Sequence, residues 1–258
     1  MGSYLEHTHG SRYAPLVVML LGLVLDQRRA RYWLPLGILV RVIYYGALRP
    51  GEGLALQVKG VALPSDAIPR FKGCGVLRID RPKNRRYMGR RQMTIIEDPV
   101  TLAWLGWLCE AVPDSATLWP STPARFRALF KEALLMLGAG GCGFSLASLR
   151  AGRATDIFRE VRDVNALKFL GRWKSVRSLE AYIQETMAAM VAIDLAPAVP
   201  MVTVLGGLAP LVASPPGRRW EACFSRDRQY AGLLREKRRL VSRLRDARGP
   251  GRDGVARF

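Results

Sequence analysis

Residues 144–185 read FSLASLRAGRATDIFREVRDVNALKFLGRWKSVRSLEAYIQE, and this stretch decides how the whole chain is interpreted. Arg150 lies in SLRAGRAT, Trp173 follows Leu-Gly-Arg, and Tyr182 comes nine positions after the tryptophan. Apolar residues recur at helical spacing, so the stretch predicts helices interrupted by a Gly-Arg-Trp turn. A guanidinium, an indole and a phenol in one ordered segment make this the best candidate for a reactive or anion-binding site.

The composition indicates a folded, strongly basic protein. The chain has 258 residues with a hydrophobic fraction of 49%, which is ordinary for a globular protein and excludes wholesale disorder. Forty Lys and Arg against 21 Asp and Glu give a net charge of +19, which predicts a polyanionic partner such as nucleic acid or an anionic membrane surface. Residues 31–195 already carry 24 cationic against 14 acidic side chains, so a basic tail alone does not explain the charge.

Cysteine and histidine usage argues against a disulfide framework or a zinc site. The four cysteines are scattered without a Cys-x-x-Cys pair, and only two histidines are present, which favours a reducing compartment. Residues 14–25 (APLVVMLLGLVL) are apolar but far shorter than the roughly 20 residues that span a bilayer. We interpret them as a buried helix rather than a signal peptide, and expect an intracellular protein with no membrane span.

The order of the predicted elements places a small sheet between groups of helices. Strong turn signals at Pro50 and Gly51, and six cationic residues within 81–91 (RPKNRRYMGRR), mark a turn and a basic hairpin. The predicted helices are 15–25, 33–48, 101–112, 121–137, 145–162, 164–170 and 175–195, and the predicted strands are 54–58, 75–79 and 92–97. Residues 196–217 are rich in Pro, Ala and Gly and resemble a linker, and 218–258 are predicted to form a basic helix and tail.

The residue types point to chemistry at a phosphate. Two converging guanidiniums, from Arg49 and Arg150, would clamp a phosphodiester and the extra charge of its transition state. The indole N–H of Trp173 could hold a non-bridging oxygen, and Tyr182 could attack the phosphorus if nearby cations lower its pKa. Lys83, in the basic hairpin, could protonate the leaving alkoxide. Each residue alone also has a plain structural interpretation, as a surface arginine, a core tryptophan or a packed tyrosine.

In the same order along the chain, these segments resemble the sequence boxes of the tyrosine recombinases, or phage-type integrases. ALRPGE is similar to their first-arginine box, with Arg49 and its companion acid Glu52. SLRAGRAT is similar to the second box, with Arg150. LGRW with Tyr182 nine residues after Trp173 is similar to the third box and nucleophile, in the tryptophan form of Cre-like members. The resemblance covers residues 33–195.

The resemblance implies a fold and a set of site residues. The implied fold is mainly α with a small three-stranded antiparallel β-sheet, the DNA breaking-rejoining catalytic domain. The implied catalytic residues are Arg49, Lys83, Arg150, Trp173 and Tyr182, with Glu52 in support. DNA contacts are expected from Arg81, Arg85, Arg86, Arg90, Arg91, Arg153, Arg172 and Lys174. Neither a metal ion nor another cofactor is expected.

The implied function is DNA recombination or integration through a 3′-phosphotyrosyl intermediate, as in mobile elements. The expected partner is double-stranded DNA, and family members act as tetramers, with a C-terminal segment docking on the neighbouring protomer. The protein is expected to be DNA-associated, in the nucleus if its host is a eukaryote. The predicted division is an N-terminal extension (1–32), a catalytic domain (33–195), a linker (196–217) and a basic tail (218–258).

Two departures from the family pattern keep other interpretations open. Ala147 stands three residues before Arg150, where the second box has histidine or sometimes lysine. Since a general acid or base typically contributes 10²–10⁴-fold, the alternative is a catalytically impaired DNA-binding remnant. Residues 1–30 are too short for the helical domain with which the family clamps DNA from the other side. A type IB topoisomerase is a third, less favoured interpretation, because no long linker precedes Tyr182.

Overall fold

The computed structural model describes residues 15–19, 22, 26–64, 73–80, 82–89, 91–180, 182–183 and 215. In this part the fold is mainly helical with one three-stranded antiparallel sheet, which confirms the predicted class. The helices are α1 (Ala30–Tyr45), α2 (Pro50–Leu54), α3 (Arg85–Met88), α4 (Pro99–Ala111), α5 (Pro123–Met136), α6 (Leu146–Val161), α7 (Val164–Leu170) and α8 (Val176–Glu180). The strands are β1 (Val61–Ala62), β2 (Gly75–Ile79) and β3 (Gln92–Ile96), and short 3-10 turns occupy Gln27–Arg29 and Val58–Gly60.

Helix α1 is the centre of the core, because apolar side chains surround it on nearly every face. Trp33, Ile38 and Ile43 are among its buried residues, and α1 contacts α2, α4, α5 and α6. Residues 16–19, which are helical, are buried in the same cluster. Burying a side chain of this size contributes roughly 1.5–3 kcal/mol, so the helix is held by its packing rather than by its intrinsic propensity.

Polar caps explain where the helices begin and end. The Asp98 carboxylate accepts from the Thr101 N–H at 2.7 Å and Pro99 opens α4, while the Thr122 hydroxyl accepts from the Arg125 N–H at 3.3 Å before α5. Helix α5 ends before Gly138, whose φ of 72° lies in the left-handed region that glycine adopts without a steric penalty. Thr122 is thus the N-cap of α5, and Pro123 lies in its first turn.

A buried ion pair joins α1 to the start of α4. The Arg41 guanidinium donates to Thr101 Oγ1 at 3.0 Å and to Asp98 Oδ2 at 2.7 Å. Burial raises the pKa of Asp98, but hydrogen bonds from Thr101 and the charge of Arg41 outweigh burial and lower it overall. No pattern in the sequence indicated this pair.

None of the helices in the described residues is both long enough and apolar enough to cross a membrane.

The sheet is a meander of order β1-β2-β3 whose inner face packs on the helices. Gly75 pairs with Ile96 and Ile79 with Gln92, and Leu77, Ile79 and Ile96 are buried. The predictions of β2 and β3 are confirmed, but the prediction of a first strand at 54–58 is wrong. Leu54 ends the capped helix α2, the chain makes a 3-10 turn at Val58–Gly60, and only Val61–Ala62 pairs with β2.

Two other predicted segments differ from the structure. The basic hairpin contains the one-turn helix α3 instead of a plain loop. The helix predicted over 175–195 ends at Glu180 in the described part, and Tyr182 lies in a turn, where its N–H donates to the Leu179 carbonyl at 2.7 Å. A bond to a carbonyl only three residues back tightens the chain beyond α-helical geometry. The predictions for 184–195, and for the linker and tail apart from Pro215, fall outside the described residues.

Candidate active site

The start of α2 builds a carboxylate–guanidinium pair from neighbouring residues. Arg49 is the residue before the helix, and its backbone N–H donates to Glu52 Oε2 at 3.0 Å. Its side chain returns to the same carboxylate, with Arg49 Nη1 donating to Glu52 Oε1 at 2.8 Å. Arg49 is thus the N-cap of α2, and Glu52, the third residue of the helix, accepts from the Arg49 backbone and holds its side chain beside the carboxylate.

Arg150 reaches the same carboxylate from the second turn of α6. Its side chain is only 2% exposed, and Nη1 lies 3.8 Å from Glu52 Oε2. Nη2 donates to the Gly171 carbonyl at 2.6 Å, and the guanidinium carbon lies 4.3 Å from the centre of the Trp173 ring. The ion pair, the hydrogen bond and the cation–π contact together hold Arg150 in one orientation.

Arg172 brings a third guanidinium to Glu52. Its Nη2 lies 3.2 Å from Glu52 Oε2 and 3.3 Å from the Ala47 carbonyl oxygen. The residue has a left-handed φ of 59°, which an arginine adopts only when its surroundings compensate for the strain. Arg49, Arg150 and Arg172 therefore surround a single carboxylate, and the cluster carries an excess of two positive charges.

The crowding of like charges changes the proton affinity of the cluster. Burial, followed by the charges of Arg49 and Arg172, lowers the pKa of Arg150 to about 10. Burial also lowers the pKa of Arg172, and Glu52 opposes this shift. Burial by itself raises the pKa of Glu52, but the charge of Arg172 and the hydrogen bonds from Arg49 lower it overall. An anion entering the cluster would relieve the repulsion among its cations.

Several donors of the cluster have no acceptor within the described part of the chain. These buried atoms are Nε and Nη1 of Arg150 and Nε and Nη1 of Arg172, which make no hydrogen bond to the residues described. Buried polar groups are normally satisfied, because an unmet donor costs about 1–3 kcal/mol. Guanidinium donors that lack acceptors, with two uncompensated positive charges, fit an oxyanion such as a phosphate.

Trp173 and Tyr182 complete the site on the far side of Arg150. Their ring centres are 5.4 Å apart with the planes inclined at 64°, and the Arg150 guanidinium carbon is 6.0 Å from the Tyr182 ring centre. The Thr155 hydroxyl donates to the Tyr182 carbonyl oxygen at 3.3 Å. Tyr182 remains partly exposed, whereas Trp173 is buried in a small cluster with Ala154, Ile157, Leu167 and Leu179.

The Gly-Arg-Trp turn depends on close approach at its glycine. A Cβ added to Gly171 would overlap the six-membered ring of Trp173. Only glycine therefore lets the indole fold back over this backbone while the Gly171 carbonyl accepts from Arg150. The turn positions Trp173, Arg172 and the acceptor for Arg150 together.

The other predicted site residues lie on the surface around this cluster. Lys83 is exposed in the turn before α3, next to Asn84, whose Nδ2 donates to the Arg172 carbonyl at 3.0 Å. Arg153 is partly buried, with Nη1 3.7 Å from Glu160 Oε1. The exposed residues among the predicted DNA contacts are Arg85, Arg86, Arg91 and Lys174, while Arg81 and Arg90 fall outside the described residues.

Arg172, one of the expected DNA contacts, is not a surface residue. Its side chain is 5% exposed and is held by Glu52, so it belongs to the buried cluster. Nothing in the sequence pointed to Asn84 or to Gln92, whose Nε2 donates to Asn84 Oδ1 at 2.9 Å. The two amides are eight residues apart, but the bond from Asn84 to Arg172 spans 88 residues, and neither contact has a local sequence signature.

Ala147 lies exposed near the N-terminus of α6, one turn before Arg150. The nearby hydroxyls of Ser145 and Ser148 cap the helix, with the Ser145 N–H donating to Ser148 Oγ at 3.1 Å. Neither serine replaces a histidine, since a hydroxyl has no pKa near neutrality. Within the described residues, no group of His, Cys, Asp and Glu side chains could hold a metal ion.

Comparison with known proteins gives a distant structural likeness. No family model and no curated protein matches the sequence. The structure is similar to that of the XerH site-specific recombinase bound to difH substrate in a pre-cleavage complex, with a TM-score of 0.47 and 16% identity. That match covers 62% of this chain and 46% of the other.

A post-cleavage complex of the same recombinase with palindromic difH substrate has a TM-score of 0.49 and 15% identity. The match covers 70% of this chain and 51% of that one, so the chain corresponds to about half the length of these structures.

Proposed function

We propose that this protein is a DNA strand transferase with the tyrosine-recombinase catalytic fold, which cuts and rejoins DNA through Tyr182. The observation that carries the proposal is the convergence of three arginines on Glu52, with Trp173 and Tyr182 beside Arg150. These residues come from the start of α2, from α6, from the turn after α7 and from the turn after α8, and Arg49 and Tyr182 lie more than half the chain apart. An ion pair that served only to stabilise the surface would not require buried arginines or a tyrosine beside them.

The reaction assigns a separate task to each group. The Tyr182 oxygen, whose proton passes to solvent at this partly exposed side chain, attacks the phosphorus of a DNA phosphodiester. The bond to the 5′ oxygen breaks, which leaves the DNA joined to the enzyme as a 3′-phosphotyrosyl ester. Arg49 and Arg150 bind the non-bridging oxygens, whose charge grows in the transition state. The departing 5′ oxygen takes a proton from the Lys83 ammonium. A 5′ hydroxyl of a second strand reverses these steps, so rejoining needs no external energy source.

The basic surface would hold the duplex. Arg85, Arg86, Arg91 and Lys174 are exposed, and exposed cations bind phosphates without reading the base sequence. In this proposal they position DNA across the site while the buried arginines hold the reacting phosphate. DNA-associated localisation, in a nucleus if the host has one, and a role in mobile-element integration belong to the same proposal.

Self-assembly on DNA, as a tetramer, is also part of the proposal. Its support is a cleft of about 1300 Å³ beside Arg172, with Met93, Phe169 and Leu170 on its walls. These side chains are 61%, 81% and 49% exposed, and large apolar side chains gathered at one surface commonly mark an interface. Sedimentation with and without DNA would test it, and Phe169→Asp should lower the assembled fraction while leaving the monomer folded.

A second candidate is a DNA-binding protein of the same fold that does not cut. The observation that favours it is Ala147, since alanine can neither accept a proton nor bind a phosphate. The arginine cluster and the basic surface would still bind DNA in this case. The two candidates differ only in the covalent step, so the test must detect that step.

Covalent capture from a random pool tests the proposal without knowledge of the target sequence. Purified protein is incubated with duplexes of randomised sequence that carry a nick, so that the cut strand diffuses away and cleavage is trapped. The mixture is denatured, protein-linked DNA is recovered, and the enriched sequence is resynthesised as a single substrate. Tyr182→Phe, which removes only the hydroxyl, is carried through the same steps.

The proposed enzyme gives a denaturation-resistant adduct with the wild-type protein and none with Tyr182→Phe. Salt-sensitive DNA binding without any adduct supports the non-cutting candidate. Absence of DNA binding at low salt would exclude both candidates, because a charge of +19 then needs another explanation.

A further inference from the structure

One side chain ties the loop between β2 and β3 to the Gly-Arg-Trp turn. Asn84 Nδ2 donates to the Arg172 carbonyl oxygen at 3.0 Å, across 88 residues of sequence. At its other end, Asn84 Oδ1 accepts from Gln92 Nε2 at 2.9 Å. Asn84 thus uses both the donor and the acceptor of its amide, which fixes the orientation of the side chain.

The Gln92 end of this connection is anchored in the sheet. Gln92 is buried as the first residue of β3, and its backbone pairs with Ile79 of β2. Asn84 is therefore attached to a strand and does not depend on the loop alone for its position. A residue supported by a rigid element in this way holds its neighbours more accurately than a free loop does.

Lys83 lies between two held residues. Pro82 is buried, and its carbonyl accepts from the Arg85 N–H at 3.1 Å, while Asn84 is bonded to Arg172. The Lys83 side chain itself is exposed. The backbone that carries the lysine is thereby fixed next to the turn, and its ammonium group is left accessible from outside.

The Arg172 end of the connection belongs to the arginine cluster. The residue that accepts from Asn84 sends its own side chain to Glu52 at 3.2 Å. The preceding residue, Gly171, accepts from Arg150 at 2.6 Å. A continuous series of polar contacts therefore runs from Gln92 in the sheet, through Asn84 and Arg172, to Glu52.

We propose that Asn84 is a positioning residue that holds the Lys83 loop against the arginine cluster. The inference rests on the proposed function, in which Lys83 protonates the departing 5′ oxygen as the tyrosine–phosphorus ester forms. Asn84 contacts none of the reacting atoms. Its task is to hold the loop that carries the proton donor at a fixed position relative to the phosphate-binding arginines.

A substrate that needs no proton donor separates this role from a general structural one. In the captured DNA sequence, the 5′ bridging oxygen at the cut site is replaced by sulfur. A thiol has a pKa of about 8.5, far below that of an alcohol, so a thiolate departs without being protonated. Cleavage rates are measured on the oxygen and the sulfur substrates for wild type, Lys83→Ala, Asn84→Ala and Arg150→Ala.

The expected pattern is specific to the leaving group. Asn84→Ala should cleave the oxygen substrate about tenfold more slowly than wild type, which is roughly the effect of losing one hydrogen bond. Its cleavage rate on the sulfur substrate should stay within about twofold of the wild-type rate. Lys83→Ala should show a larger loss that sulfur also restores. Arg150→Ala should be slow on both substrates, because sulfur does not replace the lost binding of non-bridging oxygens.

Matched variants guard against misfolding. Asn84→Asp keeps the size and the acceptor for Gln92 but loses the donor to Arg172, so it should behave as Asn84→Ala does. Gln57→Ala removes an equivalent amide-to-carbonyl bond remote from the site, from Gln57 Nε2 to the Ser115 carbonyl at 3.0 Å, and should leave both rates unchanged.

The outcomes separate this inference from the proposed function. Equal slowing of Asn84→Ala on both substrates, or no slowing on either, would overturn the role of Asn84 while cleavage by the wild type stands. Failure of sulfur to restore Lys83→Ala would overturn it too, because there would be no proton donor to position. Absence of cleavage by the wild type on both substrates would instead reject the proposed function.

Discussion

The guanidinium carbon of Arg150 lies 4.3 Å from the centre of the Trp173 ring, and Arg150 Nη2 donates to the Gly171 carbonyl two residues before that tryptophan. The indole and the turn that presents it therefore fix the arginine from two directions. A guanidinium held in this way loses little conformational freedom when an anion arrives, which is the preorganisation that phosphate binding requires. The tryptophan thus has an evident function as a support, in addition to any contact with a phosphate.

Trp173→Ala is expected to lower stability and to release Arg150. Truncating a buried aromatic residue typically costs 3–5 kcal/mol, and Trp173 is the largest side chain of its small buried cluster. Trp173→Phe keeps an aromatic face under Arg150 and should cost less than half as much. Urea unfolding of the two variants measures the difference. Equal stability of the alanine and wild-type proteins would show that the small cluster is not packed as described.

Glu52→Gln is expected to destabilise the protein in a pH-dependent way. Removing the carboxylate leaves three guanidiniums without their shared partner, at a cost of about 3 kcal/mol near pH 7. The pKa of Glu52 is lower in the folded state than its ordinary value of 4.5, so its stabilisation is present above that value and is lost as pH falls through the folded pKa. The difference in unfolding free energy between wild type and Glu52→Gln should therefore shrink below about pH 4.5. A difference that is constant from pH 7 to pH 3 would contradict the ion-pair account.

Gly171→Ala is expected to disturb the site through a steric overlap. The added Cβ meets the Trp173 ring, so either the indole or the turn must move, at a cost of about 1–3 kcal/mol. Gly141→Ala provides the control, because a Cβ there meets nothing within 4 Å. Tryptophan fluorescence and thermal unfolding should change for Gly171→Ala and stay near wild type for Gly141→Ala. Wild-type fluorescence and unfolding temperature in both variants would mean that the turn can accommodate a methyl group at Gly171, which would contradict the steric account.

The exposed arginines of α3 are expected to set the salt dependence of DNA binding. Each phosphate contact contributes about 0.9 to the slope of log K against log salt. The double variant Arg85→Ala, Arg86→Ala should therefore reduce the slope by roughly 2 if both residues contact phosphates. Binding to a fixed duplex, measured between low and moderate salt, gives the slope. An unchanged slope would place the duplex elsewhere on the surface.

Ala147→His tests whether one missing group limits the chemistry. Ala147 is exposed one turn before Arg150, so the helix has space for an imidazole there. If a general acid–base group is what the site lacks, cleavage should accelerate by about 10²-fold or more. A rate-against-pH profile should then show a titration near pH 6.5 that the wild type lacks. An unchanged rate and pH profile would mean that the cleavage rate does not depend on the side chain at position 147.

The sequence predicted most of the helices because their signals are local. Asp98, Thr122 and Asp163 cap the helices that follow them, and the apolar periodicity sets each buried face. The first strand was misplaced because Val61–Ala62 is only two residues long and is defined by its pairing with β2, a contact that the sequence does not display. Short strands carry little periodicity of their own.

The candidate site was predicted in part for a similar reason. Arg49, Glu52, Arg150, Trp173 and Tyr182 stood out by type and spacing, and the structure brings them together. The burial of Arg172 was not predicted, because burial of an arginine depends on a distant carboxylate. Asn84 and Gln92 were missed because the sequence does not show which partners their amides hydrogen-bond after folding. Their roles, like those of the arginines, remain predictions.

The residue to which DNA becomes attached tests the central proposal most directly. Wild-type protein trapped on the captured sequence is digested with nuclease and trypsin, and the peptide that keeps a nucleotide is identified by mass. The account predicts a phosphotyrosyl nucleotide on Tyr182, in the tryptic peptide that begins at Ser178. Attachment to any other residue, or a trapped adduct that persists in Tyr182→Phe, would contradict it.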